Sequence, residues 1–176
     1  MRSLRVKLAV AVAIVGTVAI AAAAIAGDRP KLGTALRGYE ETPAVSTEGH
    51  GSFQARISRS SDEIPFTLSY DALEGDVTQA HIHFGQKSVA GGIAVFLCSN
   101  LGNGPAGTPA CPPPPATVTG TITPEDVIGP TSQGISGGEF DELVRALRSG
   151  VAYANVHSTT WPGGEIRGQL DQRRHR

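Results

Sequence analysis

Cysteine is scarce in this chain. There are two in 176 residues, Cys98 and Cys111, with no CxxC pair. That spacing argues against a thiolate zinc module. Charge of one sign is lacking too, with 15 Lys+Arg against 16 Asp+Glu and no basic stripe. Nucleic-acid binding needs such a patch, so that class is excluded. The one basic cluster, Arg173-Arg174-His175-Arg176, reads as part of a solvated tail over 172–176. No internal repeat is visible. No second acid–His pairing is placed to activate Ser158, Thr159 or Thr160, which excludes a triad hydrolase.

Long apolar runs are confined to the first 26 residues. Arg2, Arg5 and Lys7 precede an unbroken apolar or small run over 8–26, which closes on Ala24-Ile25-Ala26. That is the layout of an export signal over 1–26. The run also approaches the roughly 20 residues that span a bilayer, so an uncleaved N-terminal anchor is the alternative. Either way the rest is expected to be extracytoplasmic: secreted, periplasmic or at the cell surface. Without 1–26 the balance becomes 12 basic residues against 16 acidic, a net −4. About 150 residues then remain, enough for one domain with a core. In an oxidising compartment, two cysteines flanking a Gly, Asn, Pro and Ser loop read as a disulfide. Closing that loop is worth about 3 kcal/mol on the chain-entropy account. A pair of metal thiolates is the alternative.

What is abundant is Gly and Pro among short alternating runs. Residues 27–34 read as a linker and 35–41 as a first strand. Alternating or compact strands follow over 51–59, 64–70, 77–84, 91–97, 116–122, 151–157 and 164–170. Thr123-Pro124-Glu125-Asp126 has the chemistry of a short helix start. Phe140, Leu143, Val144 and Leu147 keep helical spacing up to Gly150. About eight strands with one or two short helices point to an all-β antiparallel sandwich over 35–171.

A strand shows alternate side chains to opposite faces. In 77–84, Val77, Gln79, His81 and His83 share one face, while Ala80, Ile82 and Phe84 turn to the core. In 151–157, Tyr153, Asn155 and His157 share a face. In 164–170, Glu165, Arg167 and Gln169 go outward and Ile166 and Leu170 inward. Three strands thus each offer a polar face.

These residues resemble the chordin (CHRD) domain, in the form found in bacterial exported proteins. The resemblance rests on Leu36-Arg37-Gly38-Tyr39-Glu40-Glu41-Thr42-Pro43, Leu68-Ser69-Tyr70, Ala80-His81-Ile82-His83-Phe84-Gly85, Gly120-Thr121-Ile122-Thr123, residues 150–157 and residues 162–170. Leu97-Cys98 before a Gly/Asn/Pro loop and Cys111 after it extend the match. The resemblance implies an immunoglobulin-like β-sandwich with a limited likeness to copper–zinc superoxide dismutases. It implies no settled activity. His81, His83, Phe84 and Gly85 look like the dismutase His-x-His strand, Val156-His157 like its later His, and Gly163, Gly164 and Arg167 like its Gly-rich turn and Arg. No His lies between His83 and His157, and His50 and His175 are misplaced. One three-His site is the most that can remain.

Two readings of the polar faces follow. In one, His81, His83 and His157 hold a single copper or zinc ion. Glu165 then orients an imidazole and Arg167 draws an anion to an open position. In the other, the histidines join Asn155, Glu165 and Tyr153 in a hydrogen-bonded network, and Arg167 pairs with Glu165, Glu40 or Glu41. Asn155 and Gly163-Gly164 read as structural, and Trp161 as a loop contact or an end cap. The function expected on the second reading is a non-enzymatic extracytoplasmic module, binding a protein or matrix partner through its end loops. No membrane contact is expected once the signal is cleaved.

Overall fold

A computed structural model describes residues 31–57 and 62–172. The export-signal segment 1–26 and the basic residues 173–176 lie outside the described residues. The strands are β1 (Lys31–Arg37), β2 (His50–Arg56), β3 (Ile64–Asp71), β4 (Val77–Phe84), β5 (Gly92–Ser99), β6 (Ala116–Ile122), β7 (Ala152–Ser158), β8 (Ile166–Gln169) and the short β9 (Asp171–Gln172). All pairings are antiparallel, in the order β5-β4-β7-β8-β1-β2-β3-β6, with β9 beside β1. β1 meets β8 at one residue pair, Arg37 with Arg167, and β9 at two more, Leu32 with Gln172 and Gly33 with Asp171. This short seam joins two halves of the sheet. Their apolar sides share one core: Ile82, Val95, Leu97, Val156 and Ile166 from one, Leu36, Phe53, Leu68 and Ile122 from the other. This is the expected all-β antiparallel sandwich.

Two devices close the open side. Cys98 on β5 is disulfide-bonded to Cys111, just ahead of β6. The buried Tyr70 on β3 donates its hydroxyl to the Pro112 carbonyl at 2.6 Å. The free edge of β5 is covered by chain rather than left to solvent. Ile128 donates its N–H to the Ala94 carbonyl, and Gln133 accepts from the Gly92 N–H. The helix α1 (Phe140–Arg148) buries Phe140, Leu143, Val144 and Leu147 and stops before Gly150, whose φ of +69° suits glycine. Among the described residues, no helix is long and apolar enough to cross a membrane.

Three expectations change in detail. The first strand starts at Lys31, so the second half of the expected linker is strand. Leu32 and Leu36 are both buried, and pairing with β2 reaches back to Lys31–Arg56. Residues Gly38–Glu40 form a 3-10 turn instead of strand, because the Gly38 carbonyl accepts from both Glu41 and Val45 N–H. The helix expected from Thr123 is a single 3-10 turn, Pro124–Asp126, in which Asp126 accepts from the Thr123 N–H and hydroxyl.

Candidate metal centre

The centre is built where β4, β7 and β8 lie side by side. Register sets the rows. His81 faces Asn155, which faces Arg167; His83 faces Tyr153, which faces Gln169. His157 lies opposite Gln79. The polar sides of three neighbouring strands therefore meet. Val77 leaves this face and enters the core, because β4 carries an extra residue between Val77 and Gln79 relative to β7. Such a bulge reverses the alternation beyond it.

The polar face is not wet. His81 is fully buried, His83 and His157 nearly so, and Asn155, Glu165 and Arg167 are buried too. The segments 38–49, 85–91 and 159–164 cover it. Their carbonyls orient two of the imidazoles. His83 Nδ1 lies 2.9 Å from the Gly91 carbonyl, and His157 Nδ1 lies 3.0 Å from the Pro162 carbonyl. A carbonyl only accepts, so both Nδ1 atoms carry the proton and both Nε2 atoms keep a lone pair. His157 Nε2 faces His81 Nδ1 at 3.2 Å. The Nε2 atoms of His81 and His83 have no hydrogen-bond partner among the described residues.

One ring nitrogen from each of the three histidines falls within 4.8 Å of the others. Two nitrogens bound at about 2.0–2.1 Å to one tetrahedral ion stand roughly 3.3 Å apart. His81 Nδ1 and His157 Nε2 stand at that separation as a hydrogen-bonded pair, so His81 Nδ1 becomes a ligand when its proton moves to Nε2. Burial away from water drives the His81 pKa down to about 3 and that of His83 to about 4, with smaller contributions from neighbouring imidazoles, and lowers that of His157. All three are neutral near pH 7, the form a metal needs. The residues present fit a three-nitrogen copper or zinc site.

The surrounding residues do other work than the sequence suggested. Among the described residues, Glu165 is hydrogen-bonded to no imidazole; it accepts from the Thr47 hydroxyl at 2.7 Å and the Glu74 N–H at 2.8 Å. Among the described residues, Arg167 has no carboxylate partner within ion-pair distance, and it is buried. It donates to the carbonyls of Gln86 and Val89 and to the Thr42 hydroxyl, and its guanidinium lies 3.4 Å from the centre of the Tyr153 ring. Tyr153 stacks parallel on His83 at 4.8 Å and bonds the Gly91 backbone through its hydroxyl. Glu40 pairs with Lys87 at the surface. Trp161 donates its indole N–H to Glu74, tying down an end loop.

Sequence reasoning named Glu41 only as one candidate partner of Arg167, and did not single out the carbonyls of Gly91 and Pro162 or Phe96, whose ring meets His81 edge to face at 4.4 Å. Glu41 is buried against Asn155. A carbonyl has no side-chain signature. Gly91 alone left a trace, since a Cβ there would collide with the Phe84 carbonyl.

The profile of the CHRD domain matches residues 32–170, and the chain belongs to that family. No curated protein and no solved structure matches.

Proposed function

Starting from a CHRD-domain chain, we propose an extracytoplasmic protein that holds one copper or zinc ion through His81, His83 and His157. The observation that carries this reading is the convergence of three neutral imidazole donors on a volume one ion can fill. When bound, the ion would supply redox or Lewis-acid chemistry. The chain's own part is to fix the tautomers through Gly91 and Pro162, exclude bulk water and hold the Tyr153 ring against His83. The disulfide supports placement in an oxidising compartment outside the cytoplasm.

A second reading is the non-enzymatic module that binds a protein or matrix partner. It is favoured by Tyr39, 75% exposed, and Val89, 47% exposed, on two of the segments that cover the polar face. Isothermal calorimetry of the folded domain with Cu(II) or Zn(II) separates the two. We expect one ion per chain at sub-micromolar affinity, lost in His83→Ala. At a hundred times the dissociation constant the ion should stabilise the domain by about 2.7 kcal/mol. Absence of heat, with melting unchanged by a chelator, would leave only the binding module.

A further inference from the structure

Beside the imidazoles lies a pair that the metal reading does not use. Asn155 Nδ2 donates to Glu41 Oε2 at 3.3 Å. The other oxygen of each side chain, Glu41 Oε1 and Asn155 Oδ1, is buried without a hydrogen-bond partner among the described residues. Both oxygens face the space beside Gly164. A Cβ built on Gly164, whose φ is +129°, would stand 2.7 Å from Glu41 Oε1 and 2.8 Å from both Asn155 Oδ1 and Nδ2. Two oxygens with only lone pairs cannot satisfy one another, and burial removes the water that would otherwise do so. A proton on Oε1 resolves both vacant positions at once, since it donates to Oδ1 and closes a ring with the existing bond.

We propose that the protonated Glu41 carboxyl and the Asn155 amide form a two-bond cyclic pair, a proton-operated clasp that fastens the 38–49 segment over the polar face. The clasp does not require a metal ion. Arg167 on β8 and the Thr42 N–H both favour the carboxylate, but burial outweighs them and pushes the Glu41 pKa up to about 7. Of the other ionisable groups around it, the two histidines add no charge. His81, opposite Asn155 on β4, and His157, two residues along β7, are held neutral. Lys87 of the 85–91 segment is paired with Glu40 at the surface, and Glu165 is bound to Thr47 and the Glu74 N–H. Loss of the proton replaces the second bond by repulsion between Oε1 and Oδ1. The same segment also supplies Thr42 to Arg167, so its release loosens a second fastening.

The test is carbon-13 NMR of the side-chain carboxyls across pH 4–9 on the intact folded protein, with Glu41 assigned through its own backbone. Amide exchange of Val45, whose N–H bonds the Gly38 carbonyl, is measured beside it. We expect the Glu41 carbon to titrate near neutrality. Val45 protection, corrected for intrinsic exchange, should fall by about tenfold or more from pH 6 to pH 9. In Glu41→Gln the amide can make the same ring without a proton, so protection should stay high at both pH values. A Glu41 carbon that titrates in the ordinary carboxylate range overturns the proposal. So does Val45 protection that ignores pH in the unmodified protein. If Glu41→Gln fails to fold, the carbon titration still decides.

Discussion

Arg167 acts as a buckle between strand and loops. Its planar fork reaches two carbonyls of the 85–91 segment and a hydroxyl of the 38–49 segment while lying on the Tyr153 ring. A lysine carries the charge but neither the fork nor the flat stacking surface. Arg167→Lys should therefore lose about 2–4 kcal/mol in urea unfolding, through carbonyls left unpaired and a displaced ammonium. A loss below half a kcal/mol would show that the loops hold without it. His81 and His83 were legible from the sequence because two-residue spacing on a strand is a periodic signal. The roles of Glu165 and Arg167 were not. Long side chains on a strand face reach several neighbours, and loop positions settle which one they meet.

At the level of elements, the main strands followed from alternation, and β4 and β6 have the bounds the sequence suggested. One error arises where an extra residue enters. The bulge below Gln79 sends Val77 into the core, a shift that depends on pairing with β7. The disulfide is the clearest energetic test at this scale. It joins edge strand β5 to the approach of β6, across the side of the sandwich that ladder hydrogen bonds leave open. Reducing it, or replacing both cysteines by alanine, should cost about 3 kcal/mol on the chain-entropy account. Calorimetric melting would measure the loss. Hydrogen exchange should then rise first in β5 and in the 100–115 segment. Unchanged melting would mean that the Tyr70–Pro112 contact and the core close that side unaided.

For the molecule as a whole, burial of a polar face makes stability depend on pH from two sides. His81 and His83 titrate near 3 and 4 when folded, against 6.5 in the unfolded chain, and His157 is shifted the same way. The unfolded state binds more protons below 6.5, so their contribution is full above that pH and is lost as pH falls toward 4 and 3. Glu41 works in the opposite sense, near 7 folded against 4.5 unfolded. Its contribution is full below 4.5 and is lost as pH rises through 7. Denaturant titrations should show stability rising from pH 4 to about 6.5 and levelling off above 7, with Glu41 opposing the histidines between 4.5 and 7. Glu41→Gln should make the rise between pH 4.5 and 7 steeper and leave the acid limb in place. A profile flat between pH 4 and 6.5 would mean that the histidines are solvated.

The sequence by itself determined the class of fold, the strands that carry the chemistry and the residues proposed to bind a metal. Those properties are local, because alternation, turn residues and side-chain type act over a few positions. Tertiary structure alone decided that β4, β7 and β8 are adjacent, that their polar sides are sealed rather than wet, and that Glu41 meets Asn155. Those depend on contacts between segments far apart in the chain, and on burial, which turns an ordinary carboxyl and three ordinary imidazoles into groups of unusual acidity.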